Sequence, residues 1–120
     1  MTKPESTAGG VVFDLATAER EMREEEAYVR EGHTGRTLTR EPDLRIVLVV
    51  MKAGGRMAEH HADETASIHV LGGHLRLHIL NRTVDLPAGR LLVLERGLRH
   101  DVEAAVESAF LITLGWPPGG

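Results

Sequence analysis

The chain contains no cysteine, which removes thiolate nucleophiles, disulfide staples and thiolate-ligated zinc together. Any metal would have to be held by His, Asp, Glu or water. Aromatic residues are almost as scarce, with Phe13, Tyr28, Phe110 and Trp116 the only four. Basic charge is not in excess either, since the formal net charge is −4. With neither a phosphate-neutralising patch nor a platform of rings on which bases could stack, nucleic acid is not an expected partner. Long hydrophobic runs are also missing. The longest, Ile46 to Met51, falls far short of the ~20 residues a membrane helix needs, and the opening MTKPESTAGG has no apolar signal segment. The expected setting is cytoplasmic, with no membrane partner.

What is present suits one domain. In 120 residues, 42% hydrophobic and 27% charged, there is material for a single core. The charge is unevenly spread: residues 1–31 hold eight acidic and four basic side chains, and residues 32–120 hold ten of each. Residues 1–12, small, polar and glycine-containing, are expected to be a disordered tail. Residues 13–33 read as one amphipathic helix, with Asp14 as its cap, Leu15, Ala18, Met22 and Val29 on its apolar face, and Gly32 as its stop. The opposite face carries Glu19, Glu21, Glu24, Glu25 and Glu26, either a solvated surface or a dock for a basic partner.

Beyond Gly32 the period becomes that of strands. Short β-rich runs are predicted at 36–40, 44–53, 56–62, 67–71, 74–80, 83–86, 91–94, 100–105 and 109–114, punctuated by Glu41-Pro42-Asp43, Gly54-Gly55, Gly72-Gly73, Asn81-Arg82, Pro87-Ala88-Gly89 and Arg96-Gly97. So many short strands at such even spacing predict an all-β sandwich or barrel over residues 34–116, with 117–120 as a tail. Within 74–79 the leucines and Ile79 share one face, expected inside, while His74, Arg76 and His78 share the other. That second face is read as solvated, with nothing converging on it.

The stretch Gly54–Gly73, GGRMAEHHADETASIHVLGG, concentrates the candidate chemistry. It resembles the first motif of the cupin superfamily, G-x5-H-x-H-x3,4-E-x6-G, with Gly54, His60, Ala62, Ala66 and Gly73 at the motif positions. Gly89, Glu95, Gly97 and His100 keep the spacing of the second motif, G-x5-P-x-G-x2-H-x3-N. The resemblance, over roughly residues 34–115, implies a single jelly-roll, or double-stranded β-helix, barrel preceded by the helix. It further implies one divalent transition metal (iron, manganese, nickel, copper or zinc). Of the four ligand positions of metal-binding cupins, the chain keeps His60 and His100. The other two are Ala62 and Ala66, which cannot ligate.

Two neighbours could supply a third ligand. His61 could enter the site if a bulge re-aims the strand, or if the register shifts by one residue so that His61 and Asp63 take the first two ligand positions with Glu64 close behind. His69 is the other candidate, although strand parity with position 66 turns it away from the cavity unless the chain twists. The candidate metal ligands are therefore His60, His100, His61 and His69, and the candidate pocket residues His60, His69, His100, Ala62 and Ala66. Glu103 is read as sharing the face of His100, where it could orient the imidazole, and Asp101 as facing the other way. No catalytic acid, base or nucleophile emerges.

Three functions follow as expectations. A facial metal site with open positions would suit dioxygenase-like or isomerase-like chemistry. A metal-free barrel lined by aliphatic residues and imidazoles would bind a small molecule without catalysis. A structural scaffold would dimerise, with Arg36–Glu41 as a strand exchanged between copies, and a homodimer is expected under all three.

Overall fold

The computed structural model describes residues 4–7, 9–61 and 63–115, with Thr7, Glu59 and His60 described in backbone only. Nine strands fill the region read as β-rich: β3 (His33–Glu41), β4 (Leu44–Met51), β5 (Arg56–His60), β6 (Thr65–Gly72), β7 (His74–Ile79), β8 (Arg82–Pro87), β9 (Leu91–Leu94), β10 (His100–Ala104) and β11 (Ser108–Gly115). They form a five-stranded sheet in the order β3-β4-β11-β6-β9 and a four-stranded sheet in the order β5-β10-β7-β8. Every pairing is antiparallel. The chain crosses repeatedly between the sheets, and their inner faces meet in one core containing Val49, Ile68, Val70 and Phe110 from one sheet and Leu75, Leu77 and Val102 from the other. This is the jelly-roll arrangement, in which the two sheets close on a shared apolar interior.

The apolar run at Ile46–Met51 owes its length to burial on both faces. Val49 and Met51 point into the barrel. Leu48 and Val50 point outward into a second cluster with Ala18, Met22 and Tyr28, so the helical segment is a lid on the outside of the five-stranded sheet.

That segment is two helices rather than one, α1 (Leu15–Arg23) and α2 (Glu26–Glu31). Asp14 caps α1 as expected: the Thr17 backbone N–H donates to its carboxylate at 3.1 Å, and the Thr17 hydroxyl at 2.8 Å. Those bonds hold the Asp14 carboxyl below its ordinary pKa. The break at Glu25, which is extended with ψ 143°, has a sequence cause. Continuing the Ala18–Met22 stripe by helical spacing would bring Glu25, Glu26 and Val29 onto the sheet. Breaking the helix buries Tyr28 instead and leaves Val29 exposed. Glu25 then turns to Arg36, which donates to it at 3.3 Å and to Glu21 at 3.1 Å. Part of the acidic face thus clamps the helices to β3. Gly32, in the left-handed region at φ 85°, ends α2 where the sequence placed the stop.

Residues 5–7 and 9–12 differ from the expected disordered tail. β1 (Glu5–Thr7) and β2 (Gly10–Val12) pair as a small hairpin, and Gly9 at φ 77° supplies the left-handed conformation the turn requires. The segment Arg36–Glu41 belongs to β3, which pairs with β4 of the same chain. Among the described residues, no helix is long and apolar enough to cross a membrane.

Gly73 is the glycine whose place in the first motif has a clear steric basis. At φ 86° it turns the chain between β6 and β7, and a Cβ there would collide with the Glu107 carbonyl and with Ser108. Ser108 locks the turn from the other side, accepting from the His74 N–H at 3.0 Å and donating to the Val106 carbonyl at 2.7 Å.

Candidate functional site

The inner faces of the strands do not fill the barrel evenly. Across the five-stranded sheet, the paired residues Val49, Phe110 and Val70 pack solidly. One rung nearer the mouth come Val47, Ile112 and Ile68, and then Arg45, Leu114, Ala66 and Leu94. These last two rungs line a cavity of about 390 Å³ faced by Met57, Val102 and His100 of the opposite sheet. The loop that joins β5 to β6 adds His61, Asp63 and Glu64 at the entrance. A second hollow, of about 590 Å³, lies between the Leu80 turn and residues 97–101. It is the more open of the two, and it lacks the aliphatic walls of the barrel cavity, which is therefore the candidate site.

His100 is the best-defined polar group of the site. Strand alternation places it inward with Val102 and Ala104, and it is only 6% exposed. Its Nδ1 lies 3.1 Å from the Leu98 carbonyl. A carbonyl oxygen only accepts, so Nδ1 carries a proton. The backbone pairs His100 with His60 across β10 and β5, and the register slips between His100 and Val102. A bulge of this kind commonly re-aims side chains next to a site.

The remaining sequence candidates separate. Ala66 is buried and lines the cavity. His61 lines the entrance with its side chain half exposed, 3.9 Å from an Asp63 carboxylate that is 91% exposed. His69 is not a pocket residue: β6 alternates strictly, Ala66, Ile68 and Val70 face inward, and His69 is exposed on the outer face. No twist rescues it, because its neighbours hold the register against both β9 and β11. Ala62 and the His60 side chain lie outside the described residues.

Glu103 does not orient His100. It is three positions along a strand that alternates, so it shares the outer face with Asp101. Both meet the His74-Arg76-His78 face instead. There Asp85 lies 3.0 Å from His74 and 3.4 Å from Arg76, Glu103 lies 3.8 Å from Arg76, and Asp101 accepts from Arg56 at 2.9 Å. The surface read as having nothing converging on it is thus a mixed-charge network. Asp85 is held below the usual carboxylate range chiefly by its bond to His74, and the Arg56 guanidinium is pushed up by Asp101.

Arg45 and Met57 were missed. Arg45 follows a turn, where a charged residue passes for solvated, but it shares strand parity with Val47, Val49 and Met51. That parity was the available signal. A metal fares less well on this geometry. Among the described residues, no group of three or more His, Asp or Glu side chains is placed to hold an ion. The position where a cupin glutamate would ligate carries the methyl group of Ala66.

A jelly-roll barrel with one aliphatic cavity open at the mouth defines the class: a cupin-type ligand-binding barrel. The family model of the AraC-like ligand binding domain matches residues 47–118, and the chain belongs to that family. No curated protein matches. Similar solved structures include a cupin-2 domain protein from Shewanella frigidimarina (TM-score 0.70, 20% identity, covering 88% of this chain and 95% of that one). Two more are a cupin superfamily protein from Desulfitobacterium hafniense (0.68, 14%, 71% and 78%) and a conserved protein of unknown function from Streptococcus pyogenes (0.67, 23%, 73% and 77%). At these identities the likeness establishes the fold.

Proposed function

We propose that this barrel holds a small molecule in its mouth cavity and does so without a metal and without transforming the ligand. The observation that carries the reading is the cavity itself: about 390 Å³, walled by Val47, Ile68, Leu94, Val102 and Ile112, with a few polar groups at one end. That volume and composition are those of ordinary small-molecule sites. Ala66 supports it further, because a methyl group at that rung leaves space and offers no donor.

A metal-dependent enzyme of dioxygenase or isomerase type is the second reading, and one observation favours it. His100 is a buried ring whose Nδ1–H donates to a backbone carbonyl, the kind of outer hydrogen bond that orients a metal-ligating histidine. His60 and His61 would be its partners around iron, manganese, nickel, copper or zinc. The described donors do not complete such a set, and no reaction step follows from them.

The deciding experiment is elemental analysis of the protein after exposure to each metal, paired with calorimetric ligand screening in the presence and absence of a chelator. Ligand binding that persists in chelator, with less than a tenth of an equivalent of metal, is expected. One equivalent of metal, lost in His100→Ala together with binding, would replace this reading with the enzyme.

A further inference from the structure

Resting on the reading of the cavity as a ligand site, we infer that its ligand is a single-tailed amphiphile, a molecule with a polar head and one short unbranched aliphatic tail, and that the tail enters first and is gauged by the depth of the barrel. The polarity of the lining changes with depth. Arg45 belongs to the mouth rung, His61, Asp63 and Glu64 to the loop beyond it, and His100 begins β10 two residues nearer the mouth than Val102. The rung below consists of Val47, Ile112 and Ile68. An amphiphile matches that gradient in one orientation, head at the rim and tail in the depth. The rim carries charges of both signs, so the sign of the head is no part of the assignment.

Among the described lining residues there is no Phe, Tyr or Trp, so a bound aromatic ring finds no ring to stack on. Affinity then follows apolar area, about fourfold for each methylene moved from water into the cavity. The floor ends that gain. Val49, Phe110 and Val70 form the next rung down, and Phe110 and Val70 have no exposure at all.

Depth converts into tail length. Rungs on one face are two residues, roughly 6.7 Å, apart along a strand, so the floor lies about 13 Å below the rung of Arg45, Leu114 and Ala66. A staggered carbon chain advances roughly 1.25 Å per carbon. With about 4 Å kept for contact with the floor side chains, that depth takes roughly seven or eight carbons. Val47 and Ile112 point inward at the lower rung yet remain partly exposed. A larger side chain at either position fills the lower rung and leaves the mouth rung open, so these two residues decide how long a tail is accepted.

The test is protein-observed NMR titration of the whole chain with the straight-chain 1-alkanols from 1-butanol to 1-decanol, and with cyclohexanol and benzyl alcohol, repeated on Val47→Phe, Ile112→Phe and Ala66→Leu. Neutral alcohols keep head charge out of the comparison. Affinity should rise about fourfold per methylene up to 1-heptanol or 1-octanol and then level off. Val47→Phe and Ile112→Phe should each move that break down by roughly three to five carbons. Both should bind 1-butanol as the parent does, which also shows that they are folded. Ala66→Leu, in the mouth rung, should weaken every alcohol about tenfold or more. A series with no break through 1-decanol, or a break that neither phenylalanine moves, would overturn the gauged tail and leave the ligand pocket standing. Tighter binding of cyclohexanol or benzyl alcohol than of 1-hexanol would overturn the unbranched tail in favour of a compact body. Alcohol binding that Ala66→Leu leaves untouched, or no binding of any alcohol, would overturn both the assignment and the pocket reading.

Discussion

The two ends of the barrel are made from the same strands and the same alternation, yet one is solid and the other hollow. At the closed end Phe110, Val70, Leu75, Leu77 and Met51 are all fully buried, and the Gly73 turn brings β6 and β7 against Ser108 with no room for a Cβ. At the mouth the equivalent rung holds Ala66 and Arg45 in place of large aliphatic side chains, and a loop rather than a turn bridges β5 and β6. Stability is concentrated where the packing is complete, while binding capacity is left where it is not. The helices add to the closed character of one outer face through Met22 and Tyr28 without touching the cavity.

Mutations at the two ends should separate these roles. The largest effect is expected from Phe110→Ala, which empties the closed end and should cost about 3–5 kcal/mol in denaturant unfolding. Leu114→Ala, beside a cavity that already exists, should cost clearly less than that. Equal losses at the two sites would mean that the mouth is as tightly packed as the floor. Next comes Gly73→Ala, which forces a side chain into the left-handed region and against backbone, for roughly 1–3 kcal/mol of lost stability. An unchanged melting temperature would remove the steric account of that glycine.

Filling the mouth should do the opposite. Ala66→Leu is expected to leave stability within about 1 kcal/mol of the parent, or to raise it, because it occupies existing space. The same substitution should abolish binding of any ligand that the parent holds. If binding survives, the cavity is not the site.

The smallest effect lies outside the barrel and depends on pH. Asp14 and Asp85 both titrate below their ordinary range in the folded chain. A depressed carboxyl stabilises the fold above the unfolded pKa, near 4, and that contribution is lost as pH falls through the folded value. Asp14→Ala should therefore lower the melting temperature slightly at pH 7 and by less as the pH falls below 4, by thermal melts monitored by circular dichroism. A loss that does not change with pH would show that the cap acts without its charge.

Much of this molecule was legible in order along the chain. The nine strand positions follow from alternation and from glycine, proline and asparagine punctuation, and most of the observed ends lie within one or two residues of those expected, Ser108 among them, while β3 begins three residues early, at His33. The spacing of Gly73 and His100 pointed to the cupin-type barrel and to an inward imidazole. The errors share a physical origin. Glu103 was given the wrong parity with His100, although counting along β10 puts it outside. Glu21 and Glu25 read as solvated until the Arg36 side chain was placed against them. Arg45 was not singled out, because the residues that line the cavity with it come from β6, β9, β10 and β11.

Local periodicity by itself determined where the strands begin and end and which side chains share a face, because alternation is a property of the extended backbone alone. It also determined the cap at Asp14, which needs only a few neighbouring residues. Tertiary structure alone decided how full the inside of the barrel is. Arg45, Met57, Ala66 and His100 become one site only when two sheets close on each other. A cavity is the space left between side chains brought together from distant strands, and no single stretch of sequence contains it.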